Sequence, residues 1–354
     1  VDMLGEFPAN LVTRILDTVD SSKRNDINLL LNYPDDSAGS IMTTEYVALK
    51  KDMTVRDAMR HIKEVGIHKE TIYTCYVLER RKLIGIVTAK DLMTMNDDTK
   101  IGDIMETENI SVHTHTDQEE AARLFSKYDF LALPVLDADG LMVGIITVDD
   151  AIDVVVDEAT EDMTVMAAVT PSEKSYFDTS VFAHAKNRFV WLLVLMFSAT
   201  ITGTIITRYE NAFAAVPLLV SFIPMLMDTG GNCGSQSSTL IIRGLALDEI
   251  KFKDIFRVIF KEFRIALLVG IGLAIANGIR IFIMYKDLKM AIVIALSLSL
   301  IVIIAKIIGC TLPLFAKKLH MDPAIMASPL ITTVVDTCSI MIYFSIATRV
   351  FTLS

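Results

Sequence analysis

The stretch from Pro323 to Tyr343, PAIMASPLITTVVDTCSIMIY, is apolar for long enough to cross a bilayer and carries one ionisable residue, Asp336. A carboxylate at membrane depth costs on the order of 2.5–3.5 kcal/mol even on lenient scales, so such a charge ordinarily faces an ion path, a proton relay or a partner. Thr332, Thr333, Thr337 and Ser339 supply hydroxyls beside it, and Pro329 is expected to free backbone carbonyls near it. Oxygen ligands with neither sulfur nor imidazole suit a hard cation such as magnesium. A second stretch, MLMDTGGNCGSQSSTLIIR at 225–243, has the same character. Gly230, Gly231 and Gly234 permit close backbone approach or expose carbonyls. Asn232, Ser235, Gln236, Ser237 and Ser238 add neutral oxygens, and Asp228 adds a second carboxylate. A contact built only on small residues has no use for that many amides and hydroxyls, so the segment reads as ion lining.

A third concentration lies at 149–162, DDAIDVVVDEATED. Asp149, Asp150, Asp153, Asp157, Glu158, Glu161 and Asp162 recur at i, i+3, i+4 and i+8, which puts several on one helix face. Like charges at that spacing repel. No Lys or Arg lies in the run to offset them, so the face reads as a cation site. His113 and His115 lack a third ligand and read as a solvated strand end. Cys75, Cys233, Cys310 and Cys338 form no CxxC pair, and neither a disulfide framework nor a zinc site is readable.

The elements that must position these groups follow from polarity. The chain has 354 residues, 52% of them hydrophobic, and formal charge −10. The first 187 residues hold 34 acids against 18 Lys and Arg, and the remainder 9 against 15. A polyanionic first half argues against nucleic acid as a partner and suits a module that counts cations. The chain opens on Val1 with no signal peptide, and residues 1–36 hold too little apolar surface for a core. They read as the remnant of a helical N-domain whose front precedes this sequence.

Residues 37–162 contain a repeat: 40–62 matches 103–125, and LIGIVTAKDL at 83–92 matches MVGIITVDDA at 142–151. The units divide at about 37–98 and 99–162. Each reads as an extended lead, an amphipathic helix, two strands joined by a turn and a closing helix, an α+β pair. Residues 163–187 read as a connecting helix leading to the membrane. An all-α membrane domain of five spans over 188–354 is expected, at about 189–207, 212–247, 265–285, 290–316 and 328–351. The second, if unbroken, exceeds a hydrocarbon core of about 30 Å, so it protrudes or breaks near Gly230 and Gly231. Lys306 inside the fourth should snorkel or pair. Loop Lys and Arg, with Arg257, Lys261, Arg264, Lys317 and Lys318 on one side, place the soluble half in the cytoplasm and the C-terminus outside.

The repeat resembles a tandem CBS pair, in which Thr88 and Asp91, and Thr147 and Asp150, stand at the ribose-binding Thr and Asp positions, so ATP or another nucleotide is a candidate ligand. GGNCGSQSSTLIIR at 230–243, MDPAIMASPLITTVVDT at 321–337 and SAGSIMTTEYVAL at 37–49 are similar to the MgtE family of magnesium channels, and the order of segments matches throughout. That resemblance implies a multi-pass protein of the plasma (inner) membrane, a homodimer with one ion path on its two-fold axis. It implies a filtering carboxylate at Asp336, with Asn232, Gln236 and Thr333 lining the path. It further implies a gate closed by cytosolic Mg²⁺ that bridges Glu158, Glu161 and Asp162 to Asp322, with Asp150 and Asp153 in the acidic face.

The alternative is an exporter or exchanger of divalent cations, Mg²⁺ or Co²⁺, regulated by nucleotide. An intramembrane aspartyl enzyme would need a Gly-x-Gly-Asp motif at Asp228 or Asp336; neither has one, and no enzyme is expected.

Overall fold

A computed structural model describes Arg24, Ile27, residues 30–172, 175–210 and 215–352. Most of the expected N-domain remnant lies outside the described residues. The chain divides into two compact units, Val1–Ala159 and Thr160–Ser354.

The first unit is built from the repeat. Its elements are β1 (Val47–Leu49), α1 (Val55–Val65), β2 (Thr74–Glu79), β3 (Lys82–Thr88), α2 (Ala89–Thr94) and α3 (Ile101–Ile104). These are followed by β4 (Val112–His113), α4 (Gln118–Tyr128), β5 (Ala132–Leu136), β6 (Met142–Thr147) and α5 (Val148–Met166). Two three-stranded sheets result, ordered β1-β2-β3 and β4-β5-β6. In each, the first pair is parallel and the second an antiparallel hairpin, with the register slipping at Val77/Leu78 and at Val135/Leu136. Gly85 faces Val77 and Gly144 faces Val135 at equivalent rungs. A Cβ at Gly85 would strike Met105, and one at Gly144 would strike Met42 and the Thr43 carbonyl.

Those neighbours come from the other repeat. Thr43, leading the first unit of the repeat, bridges Ile145 of the second, and Glu106, leading the second, bridges Ile86 of the first. The leads are exchanged, so neither half completes its sheet edge alone. Tyr76, Ala132, Met142 and Ile145 fill the seam between the halves. Side-chain caps start the helices: Thr54 accepts from Asp57 N at 3.2 Å and Asp117 from Glu119 N at 2.8 Å.

The second unit is helical: α6 (Val181–Arg208), α7 (Ile223–Ala246), α8 (Ile255–Tyr285), α9 (Leu288–Lys318) and α10 (Ser328–Phe351). Among the described residues four segments are long and apolar enough to cross a membrane: Val181–Arg208, Phe252–Tyr285, Leu288–Lys318 and Pro323–Phe351. The second expected span, α7, does not reach that standard, because its amides, glycines and serines dilute it. Of the two alternatives for this helix, protrusion or a break near Gly230 and Gly231, the break is not found. α7 runs unbroken through them, and the irregularity comes earlier, as a 3-10 turn at Pro217–Phe222. That turn is fastened by the buried Tyr343 hydroxyl, which donates to the Leu219 carbonyl at 2.9 Å.

α9 is central and half buried, with α7, α8 and α10 packed around it. The glycines of α7 serve this packing. A Cβ at Gly230 would meet Ile301 at 2.8 Å, one at Gly231 would meet Thr332 at 2.9 Å, and one at Gly234 would meet Ile331 at 2.8 Å. α6 rests on α10 and buries only Thr202, whose hydroxyl lies 2.9 Å from that of Thr337.

Candidate ion path and regulatory sites

Packing sorts the polar residues of α7 into two faces. Gly230, Gly231, Cys233, Gly234, Ser237 and Ser238 are buried against the bundle. Asp228, Asn232, Gln236 and Thr239 are exposed at i, i+4, i+8 and i+11, one continuous stripe along the other side. Asp336 on α10 is half-buried, and Asp228 lies within electrostatic range of it. The two carboxylates singled out in the sequence are therefore within electrostatic range of each other, with the amides of Asn232 and Gln236 continuing the stripe from Asp228.

Thr333 is half buried and donates to the Pro329 carbonyl at 3.0 Å, as Thr332 does at 2.9 Å. A donated hydrogen leaves the hydroxyl lone pairs of Thr333 free to accept. Pro329 does not open the helix as expected. It stands in the first turn of α10, where no intrahelical partner is lost, and its own carbonyl is satisfied by the two threonines.

Two serines read as lining are structural. The Ser238 hydroxyl donates to the Met326 carbonyl at 2.9 Å, tying α7 to the 3-10 turn Pro323–Met326 that precedes α10. The Ser237 hydroxyl donates to Glu262 Oε2 at 2.6 Å and accepts from Lys306 Nζ at 3.2 Å. Lys306 Nζ stands 3.9 Å from Glu262 Oε2, and both side chains are buried. Lys306 thus pairs inside the bundle and is not held by Asp336. The reading of residue types passed over Glu262. It is the one acid between Ile255 and Tyr285, on the row Val258, Glu262, Ala266 that turns inward, and that placement was the available signal.

In the first unit, both Thr-x-x-Asp pairs start helices. Thr88 Oγ1 donates to Asp91 Oδ2 at 2.6 Å and accepts from Asp91 N, a closed capping box. Thr147 Oγ1 donates to Asp150 Oδ2 at 2.6 Å. The acidic run occupies α5, with Asp153, Asp157 and Glu161 exposed; Glu158 accepts from the Gln118 amide at 2.8 Å. Asp322 is exposed and accepts from Ala324 N at 2.7 Å, capping the turn before α10. Among the described residues no three His, Cys, Asp or Glu side chains converge as a metal site. His113 is exposed at a strand end, its Nδ1 3.3 Å from the Asp137 carbonyl.

Comparison with known proteins bears on both units. The family model described as a divalent cation transporter, MgtE, matches residues 223–346, and the CBS domain matches 38–96 and 101–157. The chain is 40% identical over 334 residues to the magnesium transporter MgtE of Bacillus subtilis, covering 94% of this chain and 74% of that protein. It is 38% identical over 335 residues to the magnesium transporter MgtE of Thermus thermophilus, with the same coverage of 94% and 74%. The chain belongs to the MgtE family. A crystal structure of the cytosolic domain of the Mg²⁺ channel MgtE in complex with ATP aligns at 41% identity and TM-score 0.41, over 42% of this chain and 60% of that one. The MgtE family comprises transporters, not enzymes, and this member is a multi-pass membrane protein whose CBS pair precedes an all-helical region.

Proposed function

We propose that this chain conducts Mg²⁺ across the plasma membrane as a homodimer, with the ion path on the two-fold axis. The observation that carries the reading is the exposed stripe Asp228, Asn232, Gln236 and Thr239 along one side of α7, with Asp336 of α10 within electrostatic range of Asp228. Polar groups do not face lipid at this density. A second copy laid against the stripe turns it into the wall of a wet passage. α7 then serves as the fifth span, less apolar because one side of it meets water. Two copies bring two Asp336 carboxylates to one divalent ion. Mg²⁺ sheds water reluctantly, so amides and hydroxyls such as Asn232, Gln236 and Thr333 hold it through its hydration shell. Outer-shell contact is weak enough for the ion to leave.

The soluble half lies in the cytoplasm in this reading, with the C-terminus outside. Cytosolic Mg²⁺ closes the path by binding among Glu158, Glu161, Asp162 and Asp322, with Asp150 and Asp153 adding to the acidic face. The ion shifts the gate only by its differential affinity for the two states. A nucleotide such as ATP binds the CBS pair through Thr88, Asp91, Thr147 and Asp150, the ribose-binding positions that the resemblance to CBS pairs implies.

Mg²⁺ flux into proteoliposomes, measured against internal Mg²⁺, tests the reading. Asp336→Ala should abolish uptake while the dimer persists, and Asp162→Asn should weaken inhibition by internal Mg²⁺. Undiminished uptake in the first variant overturns the ion path. Proton-coupled flux would instead identify an exchanger.

A further inference from the structure

We propose that the outer face of the first turns of α8 binds the headgroups of anionic phospholipids. α8 has 31 residues, about 46 Å at 1.5 Å per residue, well beyond a hydrocarbon core of about 30 Å. Its uninterrupted apolar run begins only at Ile265, so the turns before it stand in the headgroup layer. In those turns the helix is divided. Val258, Glu262 and Ala266 face inward and are buried. Arg257, Lys261 and Arg264 face outward with Lys253 of the preceding turn, and Phe256 and Phe260 beside them are 83% and 63% exposed.

None of these four cations has an acidic partner among the described residues. Three of the neighbouring acids are engaged elsewhere: Asp248 pairs with Lys251, Asp254 accepts from Lys251 N, and Glu262 is occupied by Ser237 and Lys306; the exposed Glu249 makes no ion pair with any of the four cations. Arg264 lies 5.9 Å over the Phe260 ring, which aligns its guanidinium with the junction between apolar and polar surface. Loop charge that only sets topology needs no phenyl rings and no alignment on one face. Cations level with phosphates, interleaved with rings at the depth of the acyl boundary, match a negatively charged lipid. The phenyl rings also favour a lipid over an acidic protein surface, which would leave them uncovered. The inference rests on the chain spanning the membrane and holds whether or not it conducts ions.

The test uses the full chain in nanodiscs of equal phosphatidylcholine and phosphatidylglycerol, with the lipid retained after mild extraction quantified by mass spectrometry. Wild type should retain phosphatidylglycerol in excess. The variant Lys253→Gln/Arg257→Gln/Lys261→Gln/Arg264→Gln should lose that excess, at about fivefold per charge at low salt. Arg257→Lys/Arg264→Lys should keep it, and Phe256→Ala/Phe260→Ala should reduce it. Raising the salt should erode the excess in wild type. Equal retention of the two lipids by wild type, or an undiminished excess in the glutamine variant, overturns the proposal. So does an Arg257→Cys variant that cross-links to the acidic soluble half regardless of lipid.

Discussion

Gly309 and Gly234 bring α9 and α7 into backbone contact: a Cβ at Gly309 would collide with the Gly234 carbonyl oxygen. The neighbourhood cannot yield easily, because the obstacle is main chain in a helix that is itself wedged against Ile331 and Ala305. Pro313, four residues on, removes the amide that would have bonded the Gly309 carbonyl. Gly309→Ala should therefore cost about 1–3 kcal/mol through overpacking and lower the midpoint of thermal unfolding of the purified protein. Gly272→Ala, a substitution into open space on α8, should leave that midpoint unchanged or slightly raised. Equal midpoints for the two variants would show that the crossing is looser than the structure has it.

The pair Glu262–Lys306, bridged by Ser237, joins α8, α9 and α7. Removing one partner strands a charge in the interior, which costs about 3–5 kcal/mol, whereas replacing both by apolar groups is close to neutral. Glu262→Leu should thus be strongly destabilising and Glu262→Leu/Lys306→Met much less so. A double-mutant cycle on denaturation midpoints reads the coupling. Additive effects would mean that the two charges do not depend on each other.

The repeat, its strands and the four apolar spans were legible because each leaves a period or a length in the chain. The exchange of leads at Thr43 and Glu106 was not, since it is a pairing between repeats and neither carries its partner's register. Ser237 and Ser238 show a different limit. A hydroxyl that lines a path and one that bonds a neighbouring helix are the same residue type, and only rotation about α7 separates them from Asn232 and Gln236. That rotation is set by Gly230, Gly231 and Gly234, whose need for a close neighbour was readable but whose neighbours were not. Glu262 and Lys306 lie far apart in sequence, so Lys306 was readable as a residue that must pair, while its partner was not.

Cys75 reports on the first unit independently of ions. It is buried in β2, and burial pushes its thiol up to about 12. An unfolded thiol ionises near 8.5, roughly the free value, so between that pH and about 12 the unfolded chain has lost a proton that the folded one keeps. Stability should fall as pH rises through this window, and Cys75→Ala should flatten the slope. Thiol-reactive probes at a pH of about 8 should label Cys75 only on unfolding. Rapid native labelling would show that β2 opens far more readily than its burial implies.

Asn232 and Gln236 separate lining from packing. Both amides stand on the exposed side of α7, so replacing them should leave the bundle intact, unlike Ser238, whose hydroxyl holds the turn before α10. Asn232→Leu and Gln236→Leu remove oxygens that would hold a hydrated ion through its waters. Each should lower Mg²⁺ flux by about tenfold, a loss of roughly 1.4 kcal/mol, with unfolding midpoints within about 0.5 kcal/mol of wild type. Ser238→Ala should show the reverse, losing about 1–3 kcal/mol of stability by leaving the Met326 carbonyl unpaired while its remaining folded fraction conducts. Flux through single channels, normalised to folded protein, distinguishes the two. Unaltered flux in both leucine variants would move the path away from this stripe, even if Asp336 still proved indispensable.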